Sequence, residues 1–420
     1  MSEAEAIEGD RCAANPIRSW LSVILLTLVY MFHYIDRSVL GIVIEPVKVE
    51  FQLTDTQLGL LTGVAYSIPF ALFVIPVGML ADRVNRSRLL AAILFIWSAM
   101  TAACGLAASF ISLLVARASV GASESAASPI CMALVAEYFP SRKRSTPIGI
   151  FFLSGSFGTI LAFGIGGWVV EEYGWRNAFL FAGIPGMAYA LVLPLILKDP
   201  RGRPVRVQAS NRNALGELIS MPGRGAYAHL VMGNCLSTAV VSGIFSWATS
   251  FFIREHAFNV KEAGTIVALG IGIAGGIGAV ASGSIADRMD HSRIPLLQMP
   301  VATCPLFILL LVGFAFSGST VLSIVLFALW CAISHFFWPP AFNALMVIAP
   351  EHRRSTALSV AQLAFNLVGY GSGSLFIGVV SDASGSLRLA IGSIGMLSLW
   401  AMGHYFVASR GFEALKANRG

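Results

Sequence analysis

Residues 78–88 read GMLADRVNRSR, and residues 283–293 read GSIADRMDHSR. Six of the eleven positions are identical, and the copies stand 205 residues apart in a chain of 420. Each copy follows one long apolar run and precedes another. A second echo has nearly the same offset: PSRKRST at 140–146 returns as PEHRRST at 350–356, 210 residues later. Short polar motifs recurring between hydrophobic runs mark a duplicated bundle of membrane helices, with a substrate site expected between its halves.

Composition agrees. Apolar residues make up 56% of the chain and charged residues 12%, with a mean hydropathy of +0.76. Soluble domains carry roughly 25% charged residues, so an ordinary soluble enzyme is excluded. The formal charge of +6 invites a nucleic-acid reading. The basic residues instead cluster in short loops between apolar spans, as membrane topology requires, and no nucleic-acid partner is expected. The six cysteines (Cys12, Cys104, Cys131, Cys235, Cys304 and Cys331) form no close pair. They are expected to be small core residues, with no disulfide framework and no metal site. The N-terminus is acidic and polar, and no small-residue cleavage site follows the first apolar run, so no signal peptide is expected.

A membrane span needs roughly 20 apolar residues. The sequence predicts an all-α membrane protein of twelve spans, near 18–46, 56–81, 87–108, 110–138, 144–170 and 176–197, then 225–254, 262–286, 292–316, 320–348, 354–380 and 387–409. They divide into an N-terminal tail (1–17), an N-terminal six-helix bundle (18–197), a linker (198–224), a C-terminal six-helix bundle (225–409) and a C-terminal tail (410–420). Of the 28 basic residues, Lys48, Arg176, Arg254, Lys261 and Arg388 fall on one side, Arg37 and Arg117 fall inside spans, and the remaining 21 fall on the other side. That asymmetry predicts a multi-pass protein with both termini, the tails and the linker in the cytoplasm. Glycines crowd spans 5, 8 and 11, and Pro129 and Pro339, 210 apart, are placed to kink spans 4 and 10.

The repeated loop follows spans 2 and 8. Asp82 and Asp287 are expected at helix ends, where a carboxylate can accept from a neighbouring helix N-terminus or pair with arginine. Gly78 and Gly283 are expected to let helices approach closely. Such contacts can hold one face closed and break when the halves rock apart. The loop resembles the hallmark of the major facilitator superfamily, and the resemblance runs from about 18 to 409. It implies two pseudo-symmetric six-helix bundles, alternating access, and a cytoplasmic gate built on Gly78, Asp82, Arg83, Arg86, Gly283, Asp287 and Arg288. The second copy departs at Asp290 and His291, where the first has Asn85 and Arg86.

Ionisable residues at membrane depth are costly and usually functional. Span 1 carries His33, Asp36 and Arg37 in FHYIDRSVL; span 4 carries Arg117 and Glu124 in RASVGASE. Arg117 and Glu124 are seven apart and share a helix face. Asp36 with Arg117, or Glu124 with Arg37, are the available pairings, and the spacing does not choose. A carboxylate whose affinity for a proton changes with hydration and with its arginine can carry that proton through a cycle. His33 can extend the relay. The second half offers His335, His404, Asn234, Asn343, Gln362, Asn366 and many aromatic residues, among them Trp247, Trp330, Phe336, Phe337 and Trp338. A charged wall facing an apolar one suits an amphipathic substrate.

Three segments narrow the resemblance. HYIDRSVL resembles the Asn-Tyr-x-Asp-Arg signature of spinster-like transporters, with His33 in place of the asparagine. ADRVNR resembles their Gly-Asp-Arg-Tyr-Asn-Arg loop. RASVGASESAASP resembles their Arg-x-x-Val-Gly-x-x-Glu-Ala segment and carries over Arg117, Gly121 and Glu124. The resemblance implies a bacterial inner-membrane member, coupled to protons through Asp36 and Glu124. It further implies a substrate of the sphingosine-1-phosphate or lysophospholipid type, with Arg37, Arg117 and His33 as charge partners and no cofactor beyond the proton. The same cavity would also serve efflux of amphipathic drugs by proton antiport, or uptake of small organic anions. No nucleophile constellation or nucleotide loop is present, so the chain is expected not to be an enzyme. Its partners are expected to be the substrate and membrane lipid, and its state monomeric.

Overall fold

Apolar runs of this length leave the backbone no way to satisfy its polar groups in lipid except as helices, and helices are what form. The computed structural model describes residues 16–139, 145–200, 220–221, 223–290, 296–349 and 354–417. The first half holds α1 (Pro16–Phe51), α2 (Asp55–Arg83), α3 (Arg86–Gly105), α4, α5 (Thr146–Tyr173) and α6 (Trp175–Ile196). The second holds α7 (Arg224–His256), α8 (Val260–Met289), α9 (Gln298–Phe316), α10 (Thr320–Ile348), α11 (Thr356–Ser384) and α12 (Leu387–Glu413). Among the described residues, eleven continuous helices are long and apolar enough to cross a membrane. The twelfth crossing, α4, runs as Phe110–Glu124 and Ala127–Tyr138. Most of the linker, His291, and the loops at 140–144 and 350–353 lie outside the described residues.

Turn chemistry sets the helix starts. Thr54 and Asn259 each form a capping box, with Gln57 and Glu262. Asn85, Ser109, Ser319 and Ser386 cap α3, α4, α10 and α12 with side-chain oxygens. Gly174 and Gly385, at φ 85° and 66°, make the turns before α6 and α12, where a side chain would be strained. Pro129 lacks the N–H that would bond the Ser125 carbonyl, and α4 breaks at Ser125–Ala126. Pro339 stands in the same relation to His335, where α10 is interrupted between Ile333 and Trp338. A π-helical turn interrupts α2, α5, α8 and α11 at Leu60–Val64, Leu161–Ile165, Ala268–Ala274 and Phe365–Tyr370.

The chain divides into two compact units. The first comprises 1–43 and 68–208, and the second 44–67 and 209–420. The end of α1 and the start of α2 therefore pack with the second unit. Glycine allows this: a Cβ on Gly59, Gly63 or Gly378 would fall 2.6, 2.5 or 2.2 Å from backbone carbonyls across the α2–α11 contact. In the first unit, a Cβ on Gly183 of α6 would fall 2.4 Å from the Ser98 carbonyl of α3. Gly78 and Gly283 behave otherwise. A Cβ at either meets nothing within 4 Å, which corrects the expectation that the repeated loop's glycines admit a neighbouring helix. The close approaches lie within the helices instead, as at Gly278 against Ala332 and Gly373 against Ala239.

Candidate functional site

Three helices of the first unit bring the intramembrane charges together. Asp36, Arg117 and Glu124 are 0%, 1% and 1% exposed, and His33 is also buried. Arg117 Nη1 donates to the main-chain carbonyl of Asp36 at 3.0 Å, and its charge bears on the Asp36 carboxylate. One of the two open pairings, Asp36 with Arg117, is therefore made partly through the backbone. Seven residues along α4, Glu124 Oε1 lies 3.0 Å from His33 Nδ1. His33 is stacked on Tyr30 at 4.8 Å, and Tyr30 in turn on Phe151. Arg37 is half-buried on α1. Glu124 also bears electrostatically on Asp36.

Helix α3 closes this group, and sequence reasoning missed it because its residues there are neutral. Trp97 and Thr101, both fully buried, bear on the Asp36 carboxyl, and Cys104 lies within the field of Asp36 and Arg117. The readable signal was a Trp, a Thr and a Cys at i, i+4 and i+7, one stripe of an otherwise apolar helix.

At the repeated loop, Arg86 is the organiser. Its guanidinium donates to Asp82 (2.9 Å) and to Glu137 at the end of α4, and its backbone N–H donates to Asp199 (2.7 Å). Asp82 thus takes the arginine option. Arg83 is exposed. In the second copy Asp287 and Arg288 are exposed at the end of α8, and the loop's Ala286 packs with Leu296 and Met299. Glu137 and Asp199 were not singled out in the sequence; they lie 55 and 117 residues from Asp82 and only folding joins them.

The second unit carries a further ionic cluster that sequence reasoning treated as loop charge. Asp55 is buried and accepts two bonds from Arg254 of α7 (2.7 and 2.9 Å), one from Lys48 (2.6 Å) and one from Ser381 of α11 (2.6 Å). Arg254 Nε also donates to Glu45 at 2.8 Å. Asp382 accepts from the backbone N–H groups of Asp55 and Thr56 (2.9 and 2.7 Å) and so caps α2 from α11. Elsewhere in this unit the functional candidates are aromatic. Trp338 stacks on Phe342 at 5.4 Å and meets Phe365 edge-on at 5.5 Å. Trp247 is a buried packing residue, its Nε1 donating to Ser374.

A twelve-span duplicated bundle with carboxylates in α1 and α4 can be compared with known families. The profile of the Major Facilitator Superfamily matches residues 26–370. The chain belongs to that superfamily. It is a multi-pass membrane protein with the fold of secondary transporters of small molecules. It is similar to an MFS-type efflux pump of Mycolicibacterium smegmatis, 28% identical over 90% of this chain and 88% of that one. A gallate transporter of Pseudomonas putida is 26% identical over 92% of each. Among solved structures, a bacterial homologue of the human lysosomal transporter Spinster aligns with a TM-score of 0.85 and 25% identity. That alignment spans 96% of this chain and 99% of that one.

Proposed function

We propose that this superfamily member is a proton-coupled transporter of an amphipathic lipid of the sphingosine-1-phosphate or lysophospholipid type, working by alternating access. The observation that carries the coupling is the pair of carboxyls, Asp36 and Glu124, buried beside Arg117 and His33 in one unit. Burying such groups is justified chemically when they exchange protons as hydration changes. The likeness to the Spinster homologue and the aromatic cluster of Trp338, Phe342 and Phe365 support the lipid. Arg117 and Arg37 are the proposed head-group partners, since a guanidinium offers a fork to phosphate. Asp82 and Arg86 are the proposed cytoplasmic latch. The 21-to-5 distribution of basic residues supports cytoplasmic termini, and the bacterial relatives support an inner-membrane location; the protein is taken as a monomer.

A second reading, transport of a small organic anion, is favoured by the likeness to a gallate transporter over nearly the whole chain. The same arginines would then hold a carboxylate. Drug efflux by proton antiport is the third, from the likeness to the efflux pump. Flux into proteoliposomes under an imposed pH gradient separates them, using labelled lysophosphatidylcholine, gallate and a cationic dye. Asp36→Asn and Glu124→Gln should each leave a folded protein and abolish pH-driven flux, because the amides keep the shape and lose the titration. Full coupled flux in both variants would refute the proton assignment.

A further inference from the structure

We infer that His229 of α7 and His404 of α12 form a proton site of their own, an interhelical clamp that holds one added proton and is opened by a second. The site lies within the second unit and is independent of the carboxyls of α1 and α4. The two Nδ1 atoms stand 2.8 Å apart, and the ring centroids 4.9 Å apart at 41°. Neither imidazole has another hydrogen-bond partner among the described residues. Both residues are half-buried, and neither Nε2 is sealed from the surface.

That distance decides the protonation. Two ring nitrogens so close share one hydrogen: one Nδ1 donates and the other accepts. The accepting ring is therefore neutral and carries its own hydrogen on Nε2. The first added proton goes to Nε2 of the donating ring and makes it an imidazolium, which strengthens the bond. A second would have to occupy the accepting Nδ1. Two N–H groups and two positive charges would then stand face to face. The bonded pair thus carries zero or one charge, never two. A divalent metal fits less well. Nitrogens about 2.0–2.1 Å from a tetrahedral zinc lie roughly 3.3 Å from each other, and among the described residues no third His, Cys or carboxylate joins the pair.

The surrounding seam gives the pair a mechanical consequence, because α7 and α12 touch on either side of it. A Cβ on Gly411 would fall 2.9 Å from the Ala226 Cβ, and one on Gly233 would fall 3.0 Å from the Tyr405 ring. Ser237 Oγ and Tyr405 Oη are 3.0 Å apart. His229 stands about 7.5 Å into α7 from Arg224, at the end where the linker enters. The other ionisable groups at this end are Arg224 and Tyr227 on α7, Tyr405, Arg410 and Glu413 on α12, Cys304 on α9 and Arg354 just before α11; α10 brings none between Trp338 and Ile348. Tyr227 donates to the Ala357 carbonyl, Arg354 donates to the Met346 carbonyl, and Arg410 lies 4.4 Å over the Phe406 ring. Neither helix carries a carboxylate within seven residues of the pair, so a second positive charge finds no counter-ion on them.

The test uses the full-length protein, with nitrogen-15 in its histidines, in lipid bilayers. Solid-state NMR reads the coupling between the two Nδ1 nuclei across their shared hydrogen. That coupling should be present at about pH 7.5, absent in His404→Gln, and reversibly lost by about pH 5, across the range in which histidine titrates. Asp36→Asn should leave its midpoint unmoved, which separates this site from the group on α1 and α4. Thermal melts are taken on the same samples. Between those two pH values the parent should lose roughly 1–3 °C more than a variant carrying both His229→Gln and His404→Gln, the size of one hydrogen bond. A coupling unchanged down to about pH 5, no coupling at any pH in the range, or a midpoint that moves with Asp36→Asn would overturn the inference. An equal loss of melting temperature in the double variant would overturn the clamp.

Discussion

Asp55→Asn is the most informative single change outside the buried carboxyls of α1 and α4. Asp55 gathers four side-chain bonds, two from Arg254, one from Lys48 and one from Ser381, at 2.6 to 2.9 Å. Those bonds hold the segment 44–67, which belongs to the second unit although the rest of α1 and α2 belongs to the first. Any rearrangement that separates 44–67 from α7 and α11 must break them. An asparagine keeps the shape and one oxygen. Its amide then turns a donor towards groups that are all donors, and the negative charge is gone. Losing one charge-assisted bond costs about 1.5–3 kcal/mol. Glu45, still bonded to Arg254, limits the damage to about 2 kcal/mol, or roughly a 30-fold shift in population away from the bonded arrangement. The assay is pulsed dipolar spectroscopy between spin labels at Gln52→Cys and Ala383→Cys, both exposed. The native Cys104, Cys131, Cys235, Cys304 and Cys331 are buried, and Cys12 is replaced by serine. Asp55→Asn should populate a longer distance at the expense of the native one. Distance distributions identical to those of the parent, with normal flux, would refute the argument that this cluster restrains opening.

Arg117→Ala should weaken binding of phosphate-bearing lipid more than of neutral amphiphiles, by about tenfold or more, measured by isothermal titration in detergent; equal losses would refute the head-group assignment. Gly278→Ala would place a carbon 1.8 Å from the Ala332 carbonyl and should cost 3 kcal/mol or more, roughly the upper range for overpacking, whereas Gly78→Ala should be neutral or slightly stabilising; thermal melts in detergent compare them. Arg86→Ala frees both Asp82 and Glu137 and should lower stability by about 1–2 kcal/mol, with increased spin-label mobility at the Arg83 end of α2 as the second readout.

The twelve helices and the kinked pair were legible because hydrophobic length and proline are local signals. Predicted and observed ends agree within a few residues for most spans, and Pro129 and Pro339 mark the two breaks. The charges in α1 and α4 were legible for the complementary reason: in a span with few ionisable groups, each one is conspicuous. What escaped was whatever depends on which faces meet. Trp97 and Thr101 look like ordinary membrane residues until α6 presses α3 into place. Asp55 looks like an N-terminal turn charge until Arg254, 199 residues later, reaches it. Gly78 and Gly283 erred in the other direction, because a glycine in a repeated motif reads the same whether it faces a helix or open space.

The duplication itself separates what repeats from what does not. The left-handed residues Gln52 and Ala257, the capping boxes at Thr54 and Asn259 and the glycine turns at Gly174 and Gly385 recur at offsets of 205 to 211. So do the helix breaks at Pro129 and Pro339, and the π-turns fall in every third helix from α2. These are backbone devices, and they need only a turn, a cap or a missing N–H, which a copied sequence supplies at once. The chemistry is not copied. Among the described residues the buried Asp–Arg–Glu–His group sits on α1 and α4, while the corresponding helices α7 and α10 present Asn234, Trp247, His335 and Trp338. Arg86 binds two carboxylates at one repeated loop, where the second copy has His291. On the proposed proton coupling, a duplicated transporter needs like bends in both halves but only one place to hold a proton. Symmetric hinges around an asymmetric charge are therefore what selection on a duplicated bundle would retain, and the distribution of repeated and unrepeated features along this chain follows that division.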